Sequence, residues 1–193
     1  MSKLIILEGA RGTGKSTISF KLRQQIKHST LINFTGFHDD GEKGLRKISN
    51  YYQNWFTFFR NLRVNIEDYI IICDRFFPSE MVFSSLYKDY DFTSEYKMLC
   101  KLLPTLAEEI ILLNFSINNE KQLKERLIRD KIPFSNVDES VAETLKQQDE
   151  YERAIKQLRD EIKWDKDSSV KIFNIDTTSK SINEIEKEVK SLL

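Results

Sequence analysis

An octapeptide near the start, Gly9-Ala10-Arg11-Gly12-Thr13-Gly14-Lys15-Ser16, constrains this chain more than any other stretch. It follows the apolar run Leu4-Ile5-Ile6-Leu7 and opens a helical pattern from Thr17 to Ile26. Strand, glycine-rich turn, helix is the context in which such a loop wraps a phosphate, the Walker A or P-loop arrangement. Its glycines let the backbone curl without Cβ clashes, so that successive N–H groups point inward. The helix that follows adds free N–H groups and the positive end of its dipole. Gly9, Ala10, Arg11, Gly12, Thr13, Gly14, Lys15, Ser16 and Thr17 are therefore candidates to bind ATP. Lys15 would bring a mobile charge to the β- and γ-phosphates, and Ser16 a hydroxyl to Mg²⁺. Arg11 has two readings, a reach toward the acceptor or γ-phosphate and a surface-facing loop residue.

The remaining apolar runs alternate with helical stretches, the pattern of an α/β domain with a mostly parallel sheet. Strands are expected at Lys3–Leu7, Thr30–Phe34, Tyr69–Cys73, Ile110–Phe115 and Val170–Ile175. Helices are expected over Glu42–Glu67, from Pro78, over Ser94–Leu106 with a disturbance at Pro104, over Asn119–Asp130 and Glu139–Ile162, and after an N-cap near Ser181. The helix from Glu42 carries Tyr51, Tyr52, Trp55, Phe56, Phe58 and Phe59, too many aromatics for one narrow stripe. Some of them should face a partner helix, a ligand or a second subunit, which makes a homodimer an expectation. Lys131 to Asn136 breaks the helical pattern and reads as a mobile segment.

At 193 residues the chain reads as a single domain, 1–193, with length enough for a real core. Lys+Arg and Asp+Glu are equal at 30 each, so no net positive charge favours nucleic acid; only a local basic patch would bind it. No apolar run reaches membrane-spanning length and no signal peptide precedes the first strand. Cys73 and Cys100 lie in apolar surroundings and read as buried thiols, in keeping with a reducing, cytoplasmic setting. No Cys/His spacing suggests zinc.

Ligands of open α/β sheets bind beyond the carboxyl ends of the strands. Asp74-Arg75 lies at such an end. Asp74 is a candidate to hold the Mg²⁺ shell or take a proton from an acceptor hydroxyl. Arg75, with its planar fork, is a candidate for an acceptor or transferring phosphate. The loop after the second strand brings Phe37, His38, Asp39 and Asp40 to the same end, and Phe37, Phe76 and Phe83 have the faces to stack on a base. Phe37, Asp39, Arg75 and Phe76 are the acceptor-binding candidates. His38 reads as an exposed loop residue, and Tyr151 has two readings, a residue facing the site and an ordinary packing residue. Arg126 and Arg129 share a helix face next to the mobile segment. They read equally as a solvated face and as arginines of a lid, about residues 126–137, that stabilise charge on a moving phosphoryl group.

These residues together resemble the P-loop nucleoside and nucleotide kinases, most closely the thymidylate kinase family. The resemblance rests on Ile6-Leu7-Glu8-Gly9 leading into the loop, on Asp74-Arg75-Phe76-Phe77-Pro78-Ser79, similar to the family's Asp-Arg-Tyr-x-x-Ser, and on Phe173 to Ile185, similar to its last strand and helix. It implies an α/β, three-layer P-loop kinase fold: a five-stranded parallel sheet flanked by helices, with an arginine-bearing lid. It also implies that Lys15 and Ser16 serve the ATP phosphates and Mg²⁺, that Arg75 holds the acceptor phosphate, and that the lid arginines assist transfer. The acceptor side departs from the family. Arg11 stands in place of an Asp, Thr35-Gly36-Phe37-His38 in place of Arg-Glu-Pro, and Ser84 in place of a Gln.

Three activities fit. The first is phosphoryl transfer from Mg-ATP to a (deoxy)nucleoside monophosphate. The second is transfer to a hydroxyl of a deoxynucleoside or of a base in DNA, for which Glu8, Asp39, Asp40 and Asp74 are the candidate bases. The third is nucleotide binding without transfer.

Overall fold

The computed structural model describes residues 1–129, 136–163 and 168–193. Five parallel strands form one sheet in the order β2-β3-β1-β4-β5. They are β1 Lys3–Gly9, β2 Ser29–Asn33, β3 Ile70–Asp74, β4 Glu109–Ser116 and β5 Val170–Asp176. The helices are α1 Lys15–Gln25, α2 Gly41–Asn65, α3 Phe77–Tyr87, α4 Thr93–Leu102, α5 Glu120–Arg129, α6 Val137–Glu161 and α7 Ile182–Leu192. The expected helix over Ser94–Leu106 stops at Leu102 and tightens into a 3₁₀ turn, Leu103–Thr105, because Pro104 withholds the N–H that would continue it. The expected cap at Ser181 is a full capping box: its hydroxyl accepts from the Glu184 N–H, and the Glu184 carboxylate reaches back.

Alternation along the strands divides the core in two. Ile5 and Leu7 point to one face, where Ile18 and Leu22 of α1 and Ile185 and Val189 of α7 cover them with aliphatic side chains. Leu4 and Ile6 point to the other, beneath α2, α3, α4 and α6. Helices on both faces make three layers, and the buried strands read as unbroken apolar runs for that reason.

The second face is aromatic. Tyr52, Phe56 and Phe59 of α2 are buried, each worth roughly 1.5–3 kcal/mol of hydrophobic stabilisation. Tyr51 and Trp55 are half-buried with ring edges against Phe34. The aromatic surplus on this helix is thus largely taken up inside the chain, and Phe58 keeps 45% of its surface exposed. Both cysteines are buried free thiols. Among the described residues no helix is long and apolar enough to cross a membrane.

Two connections meet at the carboxyl edge of the sheet. Gly9 ends β1 at φ 136°, and a Cβ there would stand 2.4 Å from the Phe115 carbonyl oxygen of β4. Only glycine lets the chain leave the sheet this close to its neighbour. Gly14 then turns left-handed, at φ 85°, to launch α1. On the other side of β1, β3 ends in Asp74. Arg75 follows at φ 69°, a conformation that non-glycine residues hold only under constraint. Its N–H donates to the Leu7 carbonyl at 2.9 Å, which fixes that turn against the start of the glycine-rich loop.

Candidate active site

The loop from Ala10 to Lys15 curls over a cavity of about 270 Å³ walled by the loop itself, by Ser16 and Thr17, and by Arg75 and Arg129. The Thr13 hydroxyl donates to the Ala10 carbonyl at 2.9 Å, bracing the curl from within. Lys15 is 4% exposed and its ammonium pairs with the Asp74 carboxylate while lying 3.2 Å from the Ser16 hydroxyl. The other Asp74 oxygen accepts from Ser19 at 3.3 Å. Burial pulls the Lys15 pKa down, as does the nearby Arg75 charge, while Asp74 opposes both.

Arg75 occupies the centre. Its guanidinium donates to the Tyr151 hydroxyl at 2.5 Å and to Ser79 at 3.3 Å, and lies 5.3 Å over the Phe83 ring. Ser79 donates in turn to Glu8 at 2.5 Å and shares a 2.7 Å hydrogen bond with Tyr151. Glu8 is fully buried, its Oε1 has no hydrogen-bond partner among the described residues, and burial raises its carboxyl from an ordinary 4.5 to about 7. The hydrogen bond from Ser79 and the charges of Arg75 and Lys15 hold that rise in check.

Beyond Arg75 opens a second cavity of about 320 Å³, whose walls include Phe34, Phe37, Tyr52, Glu80 and Phe83. Its rim is the loop after β2. The Lys88 ammonium fastens that loop by donating to three successive carbonyls, those of Phe37 (3.1 Å), His38 (3.3 Å) and Asp39 (3.1 Å). A third cavity, of about 680 Å³, lies on the far side of the glycine-rich loop between Gly14, Gln122, Arg126, Lys180 and Ile182.

The structure brings most of the sequence-predicted residues together and separates two. Ala10 to Thr17, with Lys15 and Ser16 among them, meet Arg75 and Arg129 around the first cavity, Asp74 joins them through Lys15, and Gly9 stands just outside at the end of β1. Phe37 reaches the second. Phe76 does not. It is wholly buried, stacked on Phe56 at 5.4 Å and edge-on to Phe34, Phe59 and Phe77. The left-handed turn at Arg75 swings the following side chain into the core. Asp39 also turns away from the cavity, toward Lys43 and Lys47. Arg126 braces the loop: it donates to the Gly12 carbonyl at 3.2 Å and to Thr177 Oγ1 and O at 3.0 and 2.8 Å. Most of the expected mobile segment, Lys131 to Ser135, lies outside the described residues, as does Asp130, the last residue of the helix expected over Asn119–Asp130. Tyr151, for which the sequence leaves open both a place facing the site and a packing role, touches Arg75 directly and is also part of the core. Glu80, Lys88 and Tyr90 also belong to this region, and no local sequence pattern marks them.

The donor set suits magnesium with a triphosphate. Among the described residues no group of three or more His, Cys, Asp or Glu could by itself cage a metal. Mg²⁺ needs only one or two protein oxygens when phosphates supply others. The Lys15 ammonium stands between the Ser16 hydroxyl and the Asp74 carboxylate, so these two oxygens already share a cation.

Sheet order, glycine-rich loop and the helices on both faces define a three-layer P-loop α/β fold. No protein-family model matches the sequence, and no curated protein matches it. Among solved structures, the chain is similar to thymidylate kinase from Candida albicans, at 22% identity over 99% of this chain and 90% of that one, with a TM-score of 0.47. It is also similar to thymidylate kinase from Ehrlichia chaffeensis, at 15% identity over 99% and 97%, with a TM-score of 0.48. That likeness extends no further than the general path of the chain, and the reading of the site rests on this chain's own residues.

Proposed function

We propose that this protein transfers the γ-phosphoryl group of Mg-ATP to a (deoxy)nucleoside monophosphate. One observation carries the reading: the Arg75 guanidinium forms part of the wall of both the amide-lined cavity and the aromatic cavity. A phosphate held in the first and a flat acceptor held in the second would meet at that charge.

The chain's residues divide the work by position. Backbone amides of the loop and the start of α1 hold the phosphates, and Lys15 neutralises them once a phosphate replaces Asp74 as its partner. Ser16 and Asp74 are the residues that would hold magnesium, which when bound supplies charge neutralisation on the phosphate oxygens. Arg75, oriented by Tyr151 and Ser79, binds the acceptor phosphate and fixes its approach. Arg129, in the wall of the first cavity, adds positive charge where negative charge shifts during transfer. The third cavity, beside Arg126 and Ile182, suits the base of the nucleoside triphosphate because it adjoins the loop on the side away from the acceptor.

A second reading, transfer to an unphosphorylated hydroxyl, draws support from Glu8. Its carboxyl, raised to about 7, sits behind Ser79 and so has a route for accepting a proton near neutral pH. A panel of nucleoside monophosphates, nucleosides and oligonucleotides incubated with γ-labelled ATP tests both. Label on a monophosphate is the expected result. Label confined to nucleosides or oligonucleotides would move the assignment to the second reading, and tight nucleotide binding without transfer would end both.

A further inference from the structure

The aromatic cavity contains a charged group that neither reading uses. Glu80, in the first turn of α3, is 5% exposed and forms part of the cavity wall. Its Oε1 accepts from the Tyr90 hydroxyl at 2.7 Å. No hydrogen bond from a described residue reaches its Oε2, and no described residue forms an ion pair with it. That second oxygen faces Gly36 across the wall: a Cβ added to Gly36 would come 3.0 Å from it, so any side chain there would crowd the carboxylate. The nearby Lys88 ammonium is committed to the three loop carbonyls. The Oε2 atom therefore meets the open space of the cavity, where water or a ligand can supply the missing donor.

We infer that Glu80 reads the acceptor's base and selects heterocycles that present an exocyclic amino group, as cytosine, adenine and guanine do. This deepens the kinase reading and rests on it for the identity of the second cavity. The amino group would donate to Glu80 Oε2 while the ring lies among Phe34, Phe37 and Phe83. Thymine and uracil are disfavoured. Their ring N–H is flanked by two carbonyls, so presenting it to Oε2 brings an oxygen against the carboxylate. Burial raises the Glu80 pKa, and the Tyr90 hydrogen bond and the Lys88 charge oppose that rise.

The test compares dCMP, dAMP and dGMP with dTMP and dUMP, and the matching nucleosides, in steady-state transfer and in calorimetric titration without ATP. Wild type should favour the amino-bearing acceptors by about tenfold or more in kcat/KM, with the same order in binding. Glu80→Gln, which keeps an acceptor for Tyr90 and adds an amide donor, should narrow or invert that ratio by about tenfold while the KM for ATP stays within about twofold. Should that variant not fold by circular dichroism, Glu80→Asp withdraws the carboxylate by one methylene and should lower the preference several-fold. A wild-type preference for dTMP or dUMP overturns the inference, as does a Glu80 variant that slows every acceptor equally. If no acceptor is phosphorylated, the kinase reading fails separately and the calorimetric order decides: a retained amino preference supports Glu80 as the reader, and any other order, or no binding, ends it.

Discussion

The two cavities on either side of Arg75 are built on different principles. The first is made mainly of a single stretch, Ala10 to Thr17, with Lys15 and Ser16 among its local side chains. The second is made of side chains from β2's loop, α2 and α3, held in place by Lys88 and Tyr90. A cradle of amides can hold any polyphosphate and tolerates little change in its glycines. A cavity of side chains can be retuned one residue at a time. On the proposed function, the division would place the general part of the chemistry in the loop and the discriminating part opposite it.

Removing the charge from the first cavity should give the largest effect. Lys15→Ala is expected to lower kcat/KM by on the order of 10³-fold while cooperative melting persists; near-normal turnover would dissolve the distinction between the cavities. Next comes the shared group. Arg75→Lys keeps the charge and loses the planar fork over Phe83 and against Tyr151, and should cost about 10²-fold, mostly in acceptor KM. An effect confined to the KM for ATP would assign Arg75 to the first cavity alone. Tyr151→Phe removes only the hydroxyl that orients this guanidinium and should cost about tenfold in kcat/KM with the ATP KM unchanged. Equal losses for both substrates would make Tyr151 a packing residue after all.

The smallest effect concerns stability. Glu8 titrates at about 7 in the folded chain against an ordinary 4.5. Between those values the unfolded chain releases this proton and the folded chain keeps it, so the stability Glu8 lends falls as pH rises and is gone above about 7. Glu8→Gln cannot titrate. Its melting temperature relative to wild type should therefore rise by a few degrees from about pH 5 to about pH 8. A flat difference would mean that Glu8 is not held protonated by burial.

The same contrast explains what could be read in advance. The first cavity was legible because its geometry is local: glycines, a lysine and a hydroxyl follow one another between an apolar strand and a helix. The sheet was legible too, since strands covered on both faces are written as plain apolar runs such as Ile70-Ile71-Ile72-Cys73. The second cavity was not. Phe37 and Phe76 look alike as aromatics beside predicted strand ends, but a left-handed residue before Phe76 sends one inward and leaves the other at a rim. Tyr151 meets Arg75 across 76 positions of sequence, and Lys88 meets Phe37 across 51. No periodicity carries such information, because it depends on how whole helices dock. The aromatics of α2 show the reverse: an excess that invited a partner is mostly consumed by the core beneath it.

The contact between Lys15 and Asp74 has a consequence for how the first cavity fills. The ammonium already carries its counter-charge, so an incoming polyphosphate trades places with a resident anion instead of settling on a bare cation. Truncating Lys15 would then do two things at once: withdraw an attraction and leave a carboxylate pointing at the newcomer. The alanine variant will overstate the lysine's own share, and the pairwise value emerges only from the double replacement of both partners.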